Sequence, residues 1–381
     1  MPTLGTASGR IRVLIVDDSA VVRSLLRSVI ASDPGLEVAG SAADGASALD
    51  ALRFQRPDLI LLDVEMPVMD GLATLRELRV RNHKMPVIMC SSLTQRGAKV
   101  TIEALASGAS DYVAKPTGQA GREAAIQALA QELLPKIHAL AGRAPVRSAA
   151  TALARTLLPM APAPPQTPPA PLKASALVIG VSTGGPAALD VLLPQLPAGF
   201  PLPVLIVQHM PEVFTRLLAE RLGHHCPLRV AEAEEGMPAV AGGIYIARGN
   251  WHMETVPAAR PGAPVTIHLH QGPLENHCRP AVDALFRSAA RVYGSGVLAL
   301  VLTGMGCDGL AGARVIRAQG GSVLAQDQAS STVWGMPGTV TQAGLAYKIL
   351  PLTAIGPEIL RVAGSAALAL TETGSFRRMV V

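Results

Sequence analysis

The sequence predicts an α/β protein built from two doubly wound, parallel-sheet domains that are joined by a linker rich in proline and alanine. Short apolar runs typical of buried strands alternate with helical patterns through residues 11–142, and they do so again through 174–370. Between them, Ala and Pro dominate residues 143–173. The 381 residues are enough for two domains with separate cores. Residues 1–10 and 371–381 are predicted to be tails.

Composition and charge disfavour several classes of protein. The net charge of +5 is spread along the chain without a long Lys/Arg run, so no nucleic-acid partner is predicted. The four cysteines show no C-x-x-C spacing, which is typical of reduced thiols in the cytoplasm. Residues 1–10 lack the apolar segment of a signal peptide. No apolar run reaches the roughly 18 residues that a membrane span requires. We therefore expect a cytoplasmic protein that does not insert into a membrane.

The first domain begins with a buried strand, Ile11–Asp17, and Ser19 is expected to cap the helix that follows. Further strands are predicted at 36–42, 57–63, 85–90 and 110–114, and further helices at 45–55 and 122–141. This alternation indicates a parallel sheet with helices on both faces.

Polar side chains collect at the carboxyl ends of these strands, which form the binding edge of an open α/β sheet. They are Asp17, Asp18, Asp63, Ser91 and Lys115. One acid at a strand end is commonly a turn residue, but three in one place would repel each other unless a cation joined them. Mg²⁺ is the expected ion, since it prefers oxygen ligands and binds phosphate as well. A carboxylate so placed can act as a nucleophile toward phosphorus.

Four motifs in this domain resemble those of the receiver domains of two-component response regulators, which have a flavodoxin-like fold. They are VDDS at 16–19, LLDVEMPVMDG at 61–71, SS at 91–92 and DYVAKP at 111–116. The resemblance covers residues 11–118. Serine stands at 91 where threonine is commoner, which keeps the hydroxyl.

The resemblance implies that Asp63 accepts a phosphoryl group from a histidine kinase of the CheA type. It further implies a set of supporting roles: Mg²⁺ bound by Asp17, Asp18, Asp63 and the carbonyl of Glu65, phosphoryl contacts from Ser91 and Lys115, and Tyr112 as the aromatic that changes rotamer.

The proline-rich stretch at 159–171 favours an extended polyproline II conformation and cannot pack a core. It could serve as a ligand for an SH3-type domain, although a tether between two domains is the commoner use of such a segment.

A G-x-S-x-G pattern opens the second domain, where a predicted strand at 176–181 leads through Ser182 into a helix. Glycines allow a sharp turn that raises the serine hydroxyl above the sheet. The first N–H groups of the following helix could stabilise an oxyanion. The same arrangement also binds phosphates or dinucleotides in other folds, or is a simple turn.

Two other strands end in chemically useful residues. Leu202–His209 ends in His209, and Gly296–Thr303 leads into GMGCDG and Asp308. With Ser182, these residues supply a nucleophile, a base and a carboxylate for acyl transfer. Their order in the chain differs from that of the α/β-hydrolases. The remaining predicted elements are β segments at 243–248, 265–270 and 322–326 and helices at 211–222, 280–293 and 309–319, again read as a parallel α/β pattern.

Each of these residues has an ordinary structural alternative. His209 could be a core or capping histidine, and Asp308 could only cap the next helix. His268 and His270 share one strand face and could bind a metal, but no third ligand is evident. Weaker candidates are His252, His277 and Cys307.

Five ordered motifs of this domain resemble the Rossmann-like catalytic domain of the chemotaxis-type protein-glutamate methylesterases, the CheB family. They are GVSTGGP at 180–186, VQHMP at 207–211, RPAVDALFRSAA at 279–290, LTGMGCDG at 302–309 and AQDQASSTVWGMPG at 325–338. With the receiver motifs, the resemblance spans the chain apart from the tails and linker. The ARGNWHM segment at 247–253 departs from the usual family pattern, and the linker is longer than the family needs.

This resemblance implies a hydrolase, activated by phosphorylation, that removes methyl esters from glutamates and deamidates glutamines of methyl-accepting chemoreceptors. It places the catalytic triad on Ser182, His209 and Asp308, with no metal in that site. The oxyanion would be held by backbone N–H groups near Thr183, Gly184 and Met305. The unphosphorylated receiver is expected to cover the Ser182 face.

Two alternatives from other classes remain at this point. A docking module controlled by phosphorylation would need no catalytic triad. A transcriptional regulator would need a helix-turn-helix after the linker, and none is visible. The particular receptor, the pathway and the balance of esterase to deamidase activity are not specified by the sequence.

Overall fold

The structure, a computed structural model, describes two α/β domains and the contacts between them. The residues described are 9–92, 94–116, 121–142, 174–258, 260 and 262–375, with the backbone alone from 365 onward. The predicted linker at 143–173 lies outside the described residues, as do residues 1–8 and 376–381 of the predicted tails.

The first domain contains a five-stranded parallel sheet with the strand order β2-β1-β3-β4-β5. Its strands are Ile11–Val16 (β1), Leu36–Ala42 (β2), Leu59–Asp63 (β3), Val87–Ser91 (β4) and Asp111–Ala114 (β5). Its helices are Ala20–Ala31 (α1), Gly45–Ala51 (α2), Gly71–Val80 (α3), Gln95–Ala106 (α4) and Arg122–Ala141 (α5). Ser19 caps α1 as predicted, because its hydroxyl accepts a hydrogen bond from the backbone N–H of Val22.

The second domain contains a seven-stranded parallel sheet with the order β15-β14-β13-β6-β7-β10-β8. Its strands are Ala176–Val181 (β6), Val204–Gln208 (β7), Arg229–Glu232 (β8), Gly243–Ile246 (β10), Val297–Val301 (β13), Ser322–Gln326 (β14) and Lys348–Leu350 (β15). Its helices are Gly185–Leu192 (α6), Glu212–His225 (α7), Val282–Tyr293 (α8), Leu310–Ala318 (α9), Met336–Gln342 (α10) and Leu352–Ser375 (α11). The last helix therefore extends beyond the predicted domain end at 370.

One predicted strand does not belong to the parallel sheet. Val265–His270 (β12) pairs antiparallel with His252–Val256 (β11) and with Pro238–Ala239 (β9) in a small separate sheet. Buried and half-buried residues alternate toward the end of β12, as is usual for an antiparallel sheet with one face near solvent. The parallel pattern predicted for the domain therefore does not extend to this segment, in which apolar and polar residues alternate along VTIHLH.

The strand order places the centre of the second sheet at β6. From β6 the chain runs first to β7 on one side and later returns to β13 on the other side. In open α/β sheets, such a reversal creates a crevice at the carboxyl ends of the strands. The segments after β6, β7 and β13 therefore meet at one edge.

The first domain packs against this same edge of the second. Its helix α4 lies against α6 and α7, and one cluster of buried apolar residues is continuous across both domains. At the contact, the ring of Tyr112 stacks on that of Phe214, with 4.5 Å between the ring centroids. Within the described residues, no helix combines the length and apolar character needed to cross a membrane.

Candidate active site and receiver site

Three residues from separate parts of the chain meet at the crevice. Ser182 directly follows β6, His209 directly follows the neighbouring strand β7, and Asp308 lies in the loop after β13. A cleft of about 1150 Å³ opens here between the two domains. Ser182 and His209 line it from the second domain, and Asp111 and Tyr112 line it from the first. The sheet thus brings together the three residues predicted for acyl transfer.

The turn that carries Ser182 and the loop after β13 leave backbone donors without an acceptor in the described part of the chain. Gly184 has φ 78°, a left-handed conformation that favours glycine, and the N–H of Gly185 donates to the carbonyl of Ser182. No acceptor in the described part of the chain takes the backbone N–H of Thr183, Gly184 or Met305. These three groups could therefore donate to an oxyanion formed at Ser182.

His209 and Asp308 form a hydrogen-bonded pair in which Asp308 is buried and His209 is half-buried. The distance between His209 Nε2 and Asp308 Oδ2 is 2.8 Å, and Asp308 is 2% exposed. The other ring nitrogen, Nδ1, lies 3.6 Å from the sulfur of Cys278. Within the described residues no hydrogen bond joins the Ser182 hydroxyl to His209. A hydrogen bond between a nucleophile and its base often forms only when substrate is bound. Because Nε2 is bound to Asp308, Nδ1 is the ring nitrogen that is left for Ser182.

Asp308 does not cap the helix that follows it in the chain, since the residue at that position is Gly309. Its carboxylate instead accepts hydrogen bonds from the first two N–H groups of α8, those of Val282 at 2.7 Å and Asp283 at 3.0 Å. The positive end of a helix stabilises an ionised carboxylate. Burial alone would raise the pKa of Asp308, but the hydrogen bonds from His209 and the backbone hold it below its usual value.

The environment of His209 favours its charged form. Burial opposes protonation of the imidazole, but the hydrogen bond with Asp308 and then that with Cys278 outweigh it and raise the pKa of His209 to about 9. In this arrangement of the domains, the surroundings of His209 therefore favour the imidazolium beside the Asp308 carboxylate. The base must lose a proton before it can accept one from a nucleophile.

Three residues of this site were not singled out from the sequence. Cys278 contacts His209, and Asn276 Nδ2 lies 3.0 Å from Asp308 Oδ1 and 3.0 Å from Asp283 Oδ2. Asp283 is 4% exposed, and burial raises its pKa. The RPAVDALF motif included Asp283, whereas no local pattern marked the other two.

The weaker histidine and cysteine candidates have other surroundings. His268 Nδ1 lies 3.0 Å from a carboxylate oxygen of Glu235, and His270 Nδ1 accepts from the N–H of Gly272. His252 is buried between the carbonyl of Pro273 and the N–H of Ala281. Cys307 is exposed, and no side-chain bond of His277 is formed within the described residues.

The first domain holds a cluster of carboxylates at its own sheet edge. Oxygens of Asp17, Asp18 and Asp63 lie within 4.8 Å of one another, and in the described part of the chain this is the one group of three residues suited to a metal. Lys115 Nζ lies 2.9 Å from Asp17 and 2.7 Å from Asp63. Burial raises the pKa of Asp63, against the opposing effect of Lys115. Oxygen donors of this kind suit Mg²⁺.

Three further residues predicted for this site have the following contacts. The Ser91 hydroxyl lies 2.7 Å from that of Thr101 in α4. The Glu65 side chain forms an exposed ion pair with Arg96. The Tyr112 ring is buried against the second domain, as described above.

Family models match both domains. A model described as CheB methylesterase matches residues 177–359, and one described as response regulator receiver domain matches residues 13–127.

Two relatives that align with nearly the whole chain carry the same name. A protein-glutamate methylesterase/protein-glutamine glutaminase of a Nocardioides species is 47% identical over 353 residues, which is 92% of this chain and 95% of that protein. The protein of the same name from Trichodesmium erythraeum is 47% identical over 355 residues, 93% of this chain and 99% of that protein. The crystal structure of the Thermotoga maritima CheB methylesterase catalytic domain is 41% identical, covers 50% of this chain and 98% of that chain, and gives a TM-score of 0.48.

Proposed function

This chain belongs to the family of CheB methylesterases that carry a receiver domain, and on that basis we propose that it hydrolyses glutamate methyl esters of chemoreceptors under control of phosphorylation. The same site would deamidate glutamines, as the names of its relatives indicate. The observation that carries the proposal is the hydrogen bond between His209 and the buried Asp308, with His209 lining the same cleft as the Ser182 turn. We assign residues 11–142 to the receiver and 174–370 to the catalytic domain.

In the proposed first step, Ser182 Oγ attacks the ester carbonyl and His209 Nδ1 takes the hydroxyl proton. Nδ1 has this role because Nε2 is bound to Asp308. Asp308 holds the imidazole in place and stabilises its charged form. The carbon–oxygen bond to the methoxy group then breaks, and methanol leaves with the proton from His209.

The negative charge on the carbonyl oxygen needs donors that are already in place. The free N–H groups of Thr183, Gly184 and Met305 supply them. Loss of one such donor typically costs about 3 kcal/mol of transition-state stabilisation. Water then cleaves the acyl-enzyme with His209 again as the base. A glutamine amide follows the same route with ammonia as the leaving group.

The receiver site is proposed to control this reaction through phosphorylation of Asp63 by a histidine kinase. Mg²⁺ bound by Asp17, Asp18, Asp63 and the Glu65 carbonyl would neutralise charge on the phosphoryl group. Lys115 lies within ion-pair distance of Asp63 and would contact the same group, as would Ser91. We expect the chain to act in the cytoplasm, where receptor and kinase domains are accessible.

Control requires a link between the two sites, and the contact between the domains provides one. Asp111 and Tyr112 at the end of the receiver sheet line the cleft together with Ser182. A receptor helix cannot enter while the receiver occupies this side. We infer that phosphorylation weakens the contact and that Tyr112 changes its rotamer in that transition.

Release of methanol from a methylated receptor tests the proposal. Ser182→Ala should abolish the release while leaving the fold and phosphorylation intact. Ser295→Ala is a matched control, because this exposed serine lies before β13 at the opposite edge of the same sheet. A Ser182→Ala variant with normal methanol release would contradict the proposed nucleophile. If the chain were a docking module without catalysis, neither the wild type nor Ser182→Ala would release methanol.

A further inference from the structure

A short turn lies against the His209–Asp308 pair. Glu275 and Cys278 exchange two backbone hydrogen bonds, of 3.1 and 2.8 Å. The two residues between them have positive φ, 50° for Asn276 and 62° for His277. Positive φ at both central positions defines a tight two-residue hairpin, in which asparagine is favoured at the first position. The turn therefore has a defined shape, although it lies outside the main sheet.

An ion pair fixes this turn to the helix that supports Asp308. Arg287 Nη2 in α8 lies 2.6 and 2.8 Å from the two carboxylate oxygens of Glu275. One nitrogen contacts both oxygens, and hydrogen bonds between two charged groups are stronger than those between neutral groups. Because the N-terminus of α8 also binds Asp308, the turn and the carboxylate are held by the same helix.

Asn276 joins two buried carboxylates. Its Nδ2 lies 3.0 Å from Asp308 Oδ1 and 3.0 Å from Asp283 Oδ2. Asp308 Oδ1 also accepts hydrogen bonds from the backbone N–H groups of Asp283 and Gly309, so the amide adds a side-chain donor that the two carboxylates share. Donors to a buried charge are costly to lose. The contact therefore ties the Asp308 carboxylate to the turn and, with the backbone donors, holds its orientation relative to His209.

Cys278 contacts the other partner of the pair. Its sulfur lies 3.6 Å from His209 Nδ1, the nitrogen that is to exchange a proton with Ser182. A thiol is both a weak donor and a weak acceptor, so it can stay in contact with Nδ1 in either protonation state. Because a thiol forms only a weak hydrogen bond, Cys278 does not compete strongly with Ser182 for the proton at His209 Nδ1.

We propose that the Glu275–Cys278 turn is a positioning element of the catalytic site, in which Asn276 fixes the carboxylate of Asp308 and Cys278 fixes the imidazole ring of His209. This inference rests on the proposed function, since it assumes that His209 is the base. Asn276 acts through Asp308 and Cys278 acts through its contact with His209 Nδ1, and neither is proposed to touch the substrate.

The test is steady-state methanol release from methylated receptor by the full chain with a phosphodonor present. Asn276→Gly keeps a residue suited to positive φ and removes the amide, while Cys278→Ala removes the thiol. Each should lower kcat about tenfold with KM nearly unchanged, because orientation of the base matters in the transition state. Cys278→Ser should recover most of the rate, since a hydroxyl can replace the thiol contact.

Two matched controls separate positioning from general effects of substitution. Asn82 is an exposed asparagine of the receiver with φ 60°, so Asn82→Gly makes the same change away from the site. Cys226 is a half-buried cysteine at the end of α7, so Cys226→Ala removes a distant thiol. Both should retain wild-type kcat, and the thermal unfolding midpoint of every variant shows whether it is folded.

The outcomes distinguish this inference from the proposed function. If Ser182→Ala is inactive while folded Asn276→Gly and Cys278→Ala keep wild-type kcat, the inference fails and the proposed function stands. A change in KM alone would also overturn it. If Cys278→Ala and Cys278→Ser are inactive but Ser182→Ala is active, the thiol is the nucleophile and both proposals fail. A lowered kcat with rescue by Cys278→Ser supports the positioning role.

Discussion

Thr183, the residue after the proposed nucleophile, donates a hydrogen bond of 2.6 Å from its hydroxyl to the carboxylate of Asp111 in the receiver. Both residues are buried, with 5% and 6% of their surface exposed. Lys136 Nζ, 3.5 Å from Asp111, adds an ion pair at the same place. A hydrogen bond to a charged group contributes about 1.5–3 kcal/mol. The receiver is therefore attached to the catalytic domain one residue from Ser182.

Removal of this contact should activate the unphosphorylated enzyme. In Asp111→Ala, the Thr183 hydroxyl loses its acceptor and the closed arrangement loses about 1.5 kcal/mol or more, which corresponds to about a tenfold higher open fraction. We expect methanol release without a phosphodonor to rise by that factor. The rate with a phosphodonor should match wild type, because Asp111 lies outside the catalytic domain. Asp50→Ala, at an exposed aspartate of α2, is the control. Unchanged basal release in Asp111→Ala would rule out this contact as a restraint.

The stacked pair of Tyr112 and Phe214 offers an independent test of the same contact. Tyr112→Ala should also raise basal methanol release, because aromatic pairs contribute about 0.5–1.5 kcal/mol beyond the area that they bury. Tyr112→Phe keeps the ring and should remain as inhibited as wild type. Equal basal rates in these two variants would show that the stack does not hold the domains together.

The sequence predicted the elements of the site better than their contacts. Ser182 and His209 could be found because both directly follow buried strands, and parallel strands share one carboxyl edge. The bond between Thr183 and Asp111 could not, because it depends on how two domains pack across residues far apart in the chain. Asn276 and Cys278 were missed because their turn is defined by positive φ, for which the letters NHC are a weak signal. The antiparallel pairing of Val265–His270 was missed although its residues alternate between apolar and polar, because the domain was interpreted as one parallel α/β pattern.

The raised pKa of His209 predicts how activity depends on pH. Burial of the ring lowers the pKa of His209, but the contacts with Asp308 and Cys278 outweigh this effect and raise the pKa to about 9. For the unphosphorylated enzyme, kcat/KM should therefore rise between pH 7 and 9 as the base loses its proton. The stabilisation from the ion pair is complete below the unfolded pKa of about 6.5 and is lost as the pH rises through 9, so the unfolding midpoint should fall over that range. A kcat/KM profile that is already flat at pH 7 would contradict this assignment.

Phosphorylation at Asp63 predicts a separable loss of regulation. Asp63→Asn should keep the basal methanol release and lose all stimulation by a phosphodonor, because the amide cannot accept a phosphoryl group through a carboxylate oxygen. Chelation of Mg²⁺ should have the same effect on the wild-type enzyme without lowering its basal rate. Stimulation that persists in Asp63→Asn would place the phosphorylation site elsewhere.

The close approach of Gly304 to Ser182 predicts that one methyl group would damage the catalytic turn. A Cβ at Gly304 would lie 2.7 Å from Ser182 Cβ and 2.5 Å from the sulfur of Met336, closer than side chains pack. Gly304 follows β13, and its carbonyl accepts a hydrogen bond from the N–H of Met336, so neither Gly304 nor Met336 can move freely.

Overpacking of this kind costs about 1–3 kcal/mol. We expect folded Gly304→Ala to lose methanol release about tenfold or more through kcat, because Ser182 is displaced relative to His209 and the oxyanion donors. Gly199→Ala, where a Cβ meets nothing within 4 Å, should behave as wild type. Normal kcat in Gly304→Ala would mean that the Ser182 turn tolerates a shift and that its position is not what limits the reaction.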